Sequence, residues 1–124
     1  MRAMILLCSL LSPIQAFAAT TGSGFFISEE GYFVTNYHVI AGGGSFIVRT
    51  VNDERYSASL VRIDEANDLA ILKVEGKFTP LPIDDSLNAK RGSKVVTIGF
   101  PHTAEQGIEP KVTEGIINSL TGIR

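Results

Sequence analysis

The sequence predicts an all-β fold, and three observations carry that expectation. From Gly22 onward, short stretches rich in Val, Ile, Phe and Tyr are punctuated by turn-forming residues. No apolar stripe at i, i+3, i+4 spacing is sustained anywhere, so the helical period is missing. Strands at such short spacing, with no internal repeat or low-complexity tract, belong to a sandwich or a barrel.

The first 18 residues stand apart. Arg2 supplies a positive start, Met4-Ile5-Leu6-Leu7-Cys8-Ser9-Leu10-Leu11 a short apolar core, and Ala16-Phe17-Ala18 the small-x-small form of a cleavage site. They read as a secretory signal peptide cut after Ala18, which sends the remaining chain to the periplasm or out of the cell. The apolar run falls well short of the roughly 20 residues that span a bilayer, and Pro13 and Gln15 end it. No stable membrane insertion is therefore expected once the signal is removed. A lipid anchor on Cys8 is disfavoured by the bulky Leu7 before it. Cleavage also removes the single cysteine, so the rest must fold without disulfides.

The strands follow in order. Residues 24–27 and 32–35 flank Ser28-Glu29-Glu30-Gly31, a hairpin turn in which Gly31 can take the positive φ that other residues resist. Residues 45–51 and 55–63 are rich in β-branched and aromatic side chains, with Asn52-Asp53-Glu54 as the connection. Residues 69–74 are mostly apolar, as in a strand buried on both faces or closing a barrel. Pro80-Leu81-Pro82-Ile83 gives a short edge-like piece, because proline has no amide to donate to a ladder. A polar connector, residues 84–92, carries a helical turn started by Asp85 or Ser86. Residues 93–100 and 111–120 are two further strands, separated by the loop 101–110. The division expected is a signal peptide over 1–18, an N-terminal barrel over 19–88, and the start of a second barrel over 89–124.

Charge excludes some partners. Eleven basic and thirteen acidic residues are scattered with no basic run, so neither nucleic acid nor an anionic membrane is an electrostatic partner. Two isolated histidines, His38 and His102, offer no metal-ligand spacing, and His102 is read as an exposed loop residue. Gly42-Gly43-Gly44 lacks the Lys-Ser/Thr and helix of a phosphate cradle and reads as a flexible loop. Asp84-Asp85 reads as a solvated turn. No cofactor or metal is expected.

His38 is the residue with chemical promise. Its strand ends at Thr35-Asn36, and the glycines after it let the backbone turn away, which leaves the imidazole at a rim, where catalytic side chains are placed. Further along, Asp68 directly precedes the apolar run Leu69-Ala70-Ile71-Leu72. A desolvated carboxylate there needs a partner. An imidazole Nδ1–H would serve, leaving Nε2 outward in the tautomer that accepts a proton. Spacing alone supports a plain turn cap for Asp68 equally well. Asp64 is a rival partner, but it ends a strand among exposed polar neighbours.

Five blocks then converge on one family. Gly22-Ser23-Gly24-Phe25-Phe26-Ile27, Val34-Thr35-Asn36-Tyr37-His38-Val39, Asn67-Asp68-Leu69-Ala70-Ile71-Leu72-Lys73-Val74, Gly99-Phe100-Pro101 and Thr113-Glu114-Gly115-Ile116-Ile117-Asn118-Ser119 occur in the order seen in bacterial trypsin-like serine proteases. The sequence resembles the HtrA (Deg) type over nearly all of residues 22–120. The resemblance implies a chymotrypsin-type fold of two six-stranded Greek-key barrels, with a complete N-terminal barrel here and only the first strands of the second. It implies His38 as general base and Asp68 as the residue that orients it. It implies protein or peptide substrates and, if the likeness extends to assembly, a homo-oligomer.

One feature of the family is missing. The Gly-Asn-Ser-Gly-Gly segment that carries the nucleophile and the oxyanion hole occurs nowhere in these 124 residues. Ser23 sits in a Gly-Ser-Gly but falls in the block matching the family's first strand, and Ser45 and Ser119 lack the glycine context, so all three read as structural. The function expected is a serine endopeptidase working through an acyl-enzyme, represented by a piece that carries base and orienter and is inactive alone. The alternative is a non-catalytic relative that keeps the barrel as a peptide-binding or interaction module.

Overall fold

The computed structural model describes residues 20–100 and 109–120, so the expected signal peptide and the loop holding His102 lie outside the described residues. The elements follow in the order β1 (Gly24–Phe26), β2 (Tyr32–Thr35), α1 (Tyr37–Ile40), β3 (Phe46–Arg49), β4 (Arg55–Asp64), β5 (Leu69–Val74), a 3-10 turn (Ser86–Asn88), β6 (Lys94–Gly99) and β7 (Lys111–Ile116). Every strand lies in a stretch that its apolar, β-branched and aromatic residues and flanking turn residues mark out, except that 80–83 forms none. The helix α1 is the one element that sequence patterning did not reveal, because a single turn is too short to show a period.

Five strands form one antiparallel sheet in the order β1-β2-β5-β4-β3. Strands β3, β4 and β5 are joined by hairpins, while β2 reaches β3 through α1 and a glycine loop and lies beside β5. That is the Greek-key connection. The β1–β2 turn depends on Gly31, whose φ is +97°. The turn docks onto β5, with the Val74 amide donating to the Gly31 carbonyl at 2.9 Å.

The central position of β5 explains its composition. Ala70, Leu72 and Val74 on one face are buried, while Ile71 and Lys73 on the other are half-buried. Ile40 of α1 packs with Ala70 and Leu72, and Phe33, Tyr37, Val39, Phe46 and Ala58 surround that cluster. The sheet curls: Phe78 stacks on Phe26 of β1 at 4.0 Å and meets Tyr56 of β4 edge-on at 5.2 Å, joining strands that are not neighbours. An irregularity between Leu60 and Arg62 in the β4–β5 register adds to the bend. The product is a half-barrel.

Past Phe78 the chain runs along β1, with the Phe78 amide donating to the Glu29 carbonyl at 3.0 Å and that of Leu81 to Phe26 at 2.9 Å. Pro80 and Pro82 have no amide hydrogen, which is why the pairing stops short of a strand. The 3-10 turn is capped by the Asp85 carboxylate, which accepts the Leu87 amide at 2.9 Å. Asp84 accepts the amide of Asp85 and the side chain of Asn88 at 2.7 and 2.9 Å, a solvated turn as the sequence indicates.

Strands β6 and β7 pair only with each other, in a second sheet. Val95, Val96, Ile98, Val112 and Ile116 are all exposed on it. The two sheets are tied where the Phe100 amide donates to the Ser23 hydroxyl at 2.7 Å.

Candidate active site

Two short loops build the site. The first begins at Asn36, which is still extended (φ −80°, ψ 144°), and turns into α1. Ile40 anchors that helical turn in the core, and Val39 closes on Gly22, where an added Cβ would come within 2.4 Å of its side chain. Residue 38 lies two positions before Ile40, about 200° around the helix, so its side chain faces outward. The Gly43 amide, at φ +68°, donates to the Ile40 carbonyl at 3.0 Å and ends the turn. An added Cβ would meet nothing at Gly42, Gly43 or Gly44, in keeping with an open loop.

The second loop joins β4 to β5. Asp64 accepts both the backbone amide and the side-chain amide of Asn67, at 3.2 and 2.8 Å. Asp64 is thus committed to its own turn, which removes it as a rival partner for His38. The Asp68 amide donates to the Glu65 carbonyl at 3.1 Å, and Asp68 takes a left-handed backbone conformation, φ +55°. Aspartate is among the few non-glycine residues that tolerate this region.

The turn aims the carboxylate of Asp68 back at α1. Its Oδ1 accepts the backbone amide of His38 at 2.8 Å, and its Oδ2 lies 2.7 Å from His38 Nδ1. The two residues singled out from sequence are therefore brought together, both oxygens of one engaged by both inner nitrogens of the other. By accepting the His38 amide, Asp68 also caps α1 from outside the helix.

Burial differs from the sequence expectation. The side chains of His38 and Asp68 are 69% and 44% exposed, so the carboxylate is not a desolvated one beneath a strand. Asp68 belongs to the turn and not to β5, and at the rim water still reaches it. Hydrogen bonding holds its charge in place. The His38 amide first, then the His38 ring, keep the Asp68 carboxyl below the ordinary aspartate range, against a smaller opposing effect of desolvation.

Three other aspartates are held low in the same manner: Asp64 by the Asn67 side chain, Asp53 by Arg49 and Asp84 by Asn88. A carboxyl whose folded-state pKa is depressed adds stability above its unfolded pKa and loses that contribution as pH falls through the folded value. Urea unfolding midpoints should accordingly hold steady on acidification to about pH 4 and then fall. A midpoint that stayed constant or rose between about pH 4 and pH 2.5 would contradict the assignment of these bonds.

The remaining candidates are placed apart from this pair in role. The Ser23 hydroxyl is engaged as acceptor for Phe100, a structural tie between the sheets. Ser45 precedes β3 and Ser119 follows β7. Among the described residues there is no group of three His, Cys, Asp or Glu side chains able to hold a metal, and no helix long and apolar enough to cross a membrane. Sequence reasoning passed over Asn36, whose side-chain amide donates to the Asp68 carbonyl at 3.1 Å. The only hint was its place between strand and histidine.

Comparison with known proteins agrees with the geometry. Residues 22–123 match the family described as the trypsin-like peptidase domain. A "probable periplasmic serine endoprotease DegP-like" of Hahella chejuensis is 43% identical over 103 residues, covering 82% of this chain and 21% of the relative. One of the same description from Pseudomonas fluorescens is 39% identical over 107 residues, covering 86% and 22%. Among solved structures, an "HtrA-type protease AlgW with decapeptide" superposes with a TM-score of 0.69 at 36% identity, covering 79% of this chain and 29% of that one. The chain thus spans about a fifth of the length of these curated relatives.

Proposed function

This chain belongs to the trypsin-like peptidase domain family, of the HtrA type, and on that premise we propose that it serves proteolysis: it supplies the general base, His38, and the residue that orients it, Asp68, to a serine endopeptidase. The observation that carries the proposal is the paired contact of one carboxylate with the amide and the ring of one histidine, at 2.8 and 2.7 Å.

The mechanism follows from that contact. With Nδ1–H donated to Asp68 Oδ2, the lone pair of Nε2 faces outward from an exposed ring. A serine Oγ–H placed there gives its proton to Nε2 as Oγ forms a bond to the substrate carbonyl carbon. The imidazolium, stabilised by the ionised Asp68, then returns the proton to the leaving amine as the C–N bond breaks. Water repeats the sequence on the acyl-enzyme, releasing the acid and restoring the serine. Because the Asp68 carboxyl is held low, it stays ionised throughout and does not take the proton itself.

No residue of this chain is assigned as nucleophile, since none lies in a Gly-Asn-Ser-Gly-Gly segment. Residues 1–124 alone are expected to be inactive. The division into a signal peptide over 1–18, a first barrel over 19–88 and the opening of a second over 89–124 belongs to the same proposal. The exposed apolar residues of β6 and β7 support it, because a two-stranded ribbon does not hold itself in water. The relatives' names support a periplasmic location and protein substrates, and the decapeptide named with the AlgW structure supports peptide recognition. Self-association as a homo-oligomer is part of the HtrA-like reading.

A fluorophosphonate probe applied to the product of the native locus tests the reading. Labelling of the wild type, lost in His38→Ala, is expected. A folded wild-type product that takes no label would favour the non-catalytic, peptide-binding alternative.

A further inference from the structure

We infer that Asn36 is a positioning residue: its side-chain amide, by holding the Asp68 carbonyl, fixes the left-handed backbone from which the Asp68 carboxylate reaches both inner nitrogens of His38. The inference rests on the assignment of His38 and Asp68 as base and orienter, and goes beyond it by naming what holds the orienter.

Asn36 occupies the N-cap position of α1, where an asparagine side chain ordinarily accepts an amide of its own helix. It makes no such bond. The capping is done from the other loop by Asp68, which accepts the His38 amide at 2.8 Å, and Asn36 donates in the opposite direction, Nδ2 to the Asp68 carbonyl at 3.1 Å. Three contacts therefore cross between the same two loops, two fixing the Asp68 carboxylate and the third its carbonyl. With both ends of the residue held, φ of +55° becomes the conformation that satisfies every partner. A donor is required at position 36: an alanine leaves the carbonyl unheld, and an aspartate sets an acceptor against it.

Asn36 is exposed and outside the core, so its replacement should spare folding. Thr35 provides the control. It is buried, and its hydroxyl donates to the Ser23 carbonyl at 2.9 Å, so losing that bond perturbs the adjacent residue without touching Asp68.

The test uses the full chain, isotopically labelled, as wild type, Asn36→Ala, Asn36→Asp and Thr35→Val. The Asp68 side-chain carboxyl is titrated by carbon-13 NMR, and exchange of the His38 amide is followed alongside. In both Asn36 variants the Asp68 titration should move up toward that of an ordinary aspartate, and His38 amide exchange should quicken about fivefold, the factor one neutral hydrogen bond commands. Thr35→Val should lower the unfolding midpoint and leave the Asp68 titration where it was. Folded Asn36 variants that titrate like the wild type would overturn the inference. So would a Thr35→Val chain that shifts Asp68 equally, or Asn36 variants that both fail to fold, since the role would then be structural. None of these readouts requires turnover. A native-locus product that takes no fluorophosphonate label, with the shift present, would remove the enzymatic reading alone, and the reverse result would remove Asn36 alone.

Discussion

Asp68→Asn is expected to cut peptide hydrolysis by the native-locus product about 10⁴-fold while leaving the fold intact. The reason lies in how the two carboxylate oxygens are used. Oδ1 accepts the His38 backbone amide at 2.8 Å, so an asparagine must keep its oxygen there, and its NH2 then occupies the place of Oδ2, 2.7 Å from His38 Nδ1. A donor facing Nδ1 forces that nitrogen to be the acceptor and moves the ring proton to Nε2. The atom that should take the serine proton is then already protonated. Steady-state kinetics on an unstructured polypeptide, with circular dichroism to confirm folding, would read the effect. A fall of less than about tenfold would mean that Asp68 does not set the tautomer.

Gly31→Ala is expected to destabilise the fold on the order of 3 kcal/mol. Two effects add. At φ +97° an L side chain is strained whatever the space around it, and here there is none: a Cβ would stand 2.0 Å from the Val74 carbonyl oxygen and 3.1 Å from the Phe78 ring. Relief requires the β1–β2 turn to lift from β5, which breaks the Val74 amide bond to the Gly31 carbonyl and loosens Phe78 from Phe26. Urea unfolding measures the loss. A change under about 1 kcal/mol would show that the turn shifts freely and is no anchor of the sheet.

What the sequence disclosed, and what it did not, follows from the range of each interaction. Short runs rich in β-branched and aromatic residues, together with Gly31, made the strands and the first hairpin legible, because strand propensity and turn chemistry act within a few residues. The apolar run of Leu69–Val74 marked a strand buried on both faces or closing a barrel; the structure puts β4 and β2 on its two sides, with one face buried and the other half-buried. Asp68 was found on the premise that burial makes a lone carboxylate costly, yet it is half-exposed and held by hydrogen bonds. The pairing was right and the cause was not.

The rest depends on contacts no local pattern records. The single turn α1 forms because Ile40 finds Ala70 and Leu72 from a distant strand. Asn36 works on a residue 32 positions away in the chain. Pro80 and Pro82 suggested an edge strand, but with their amide hydrogens missing it is the amides of Phe78 and Leu81 that seat this segment, on the β1–β2 turn and on the end of β1.

Nitrogen-15 NMR of the His38 ring tests most directly whether Asp68 aims this imidazole. In the wild-type neutral ring the proton should reside on Nδ1, hydrogen-bonded to Asp68, with Nε2 bare; in Asp68→Asn it should move to Nε2. A wild-type ring protonated on Nε2, or a tautomer indifferent to the substitution at position 68, would contradict the assignment of base and orienter.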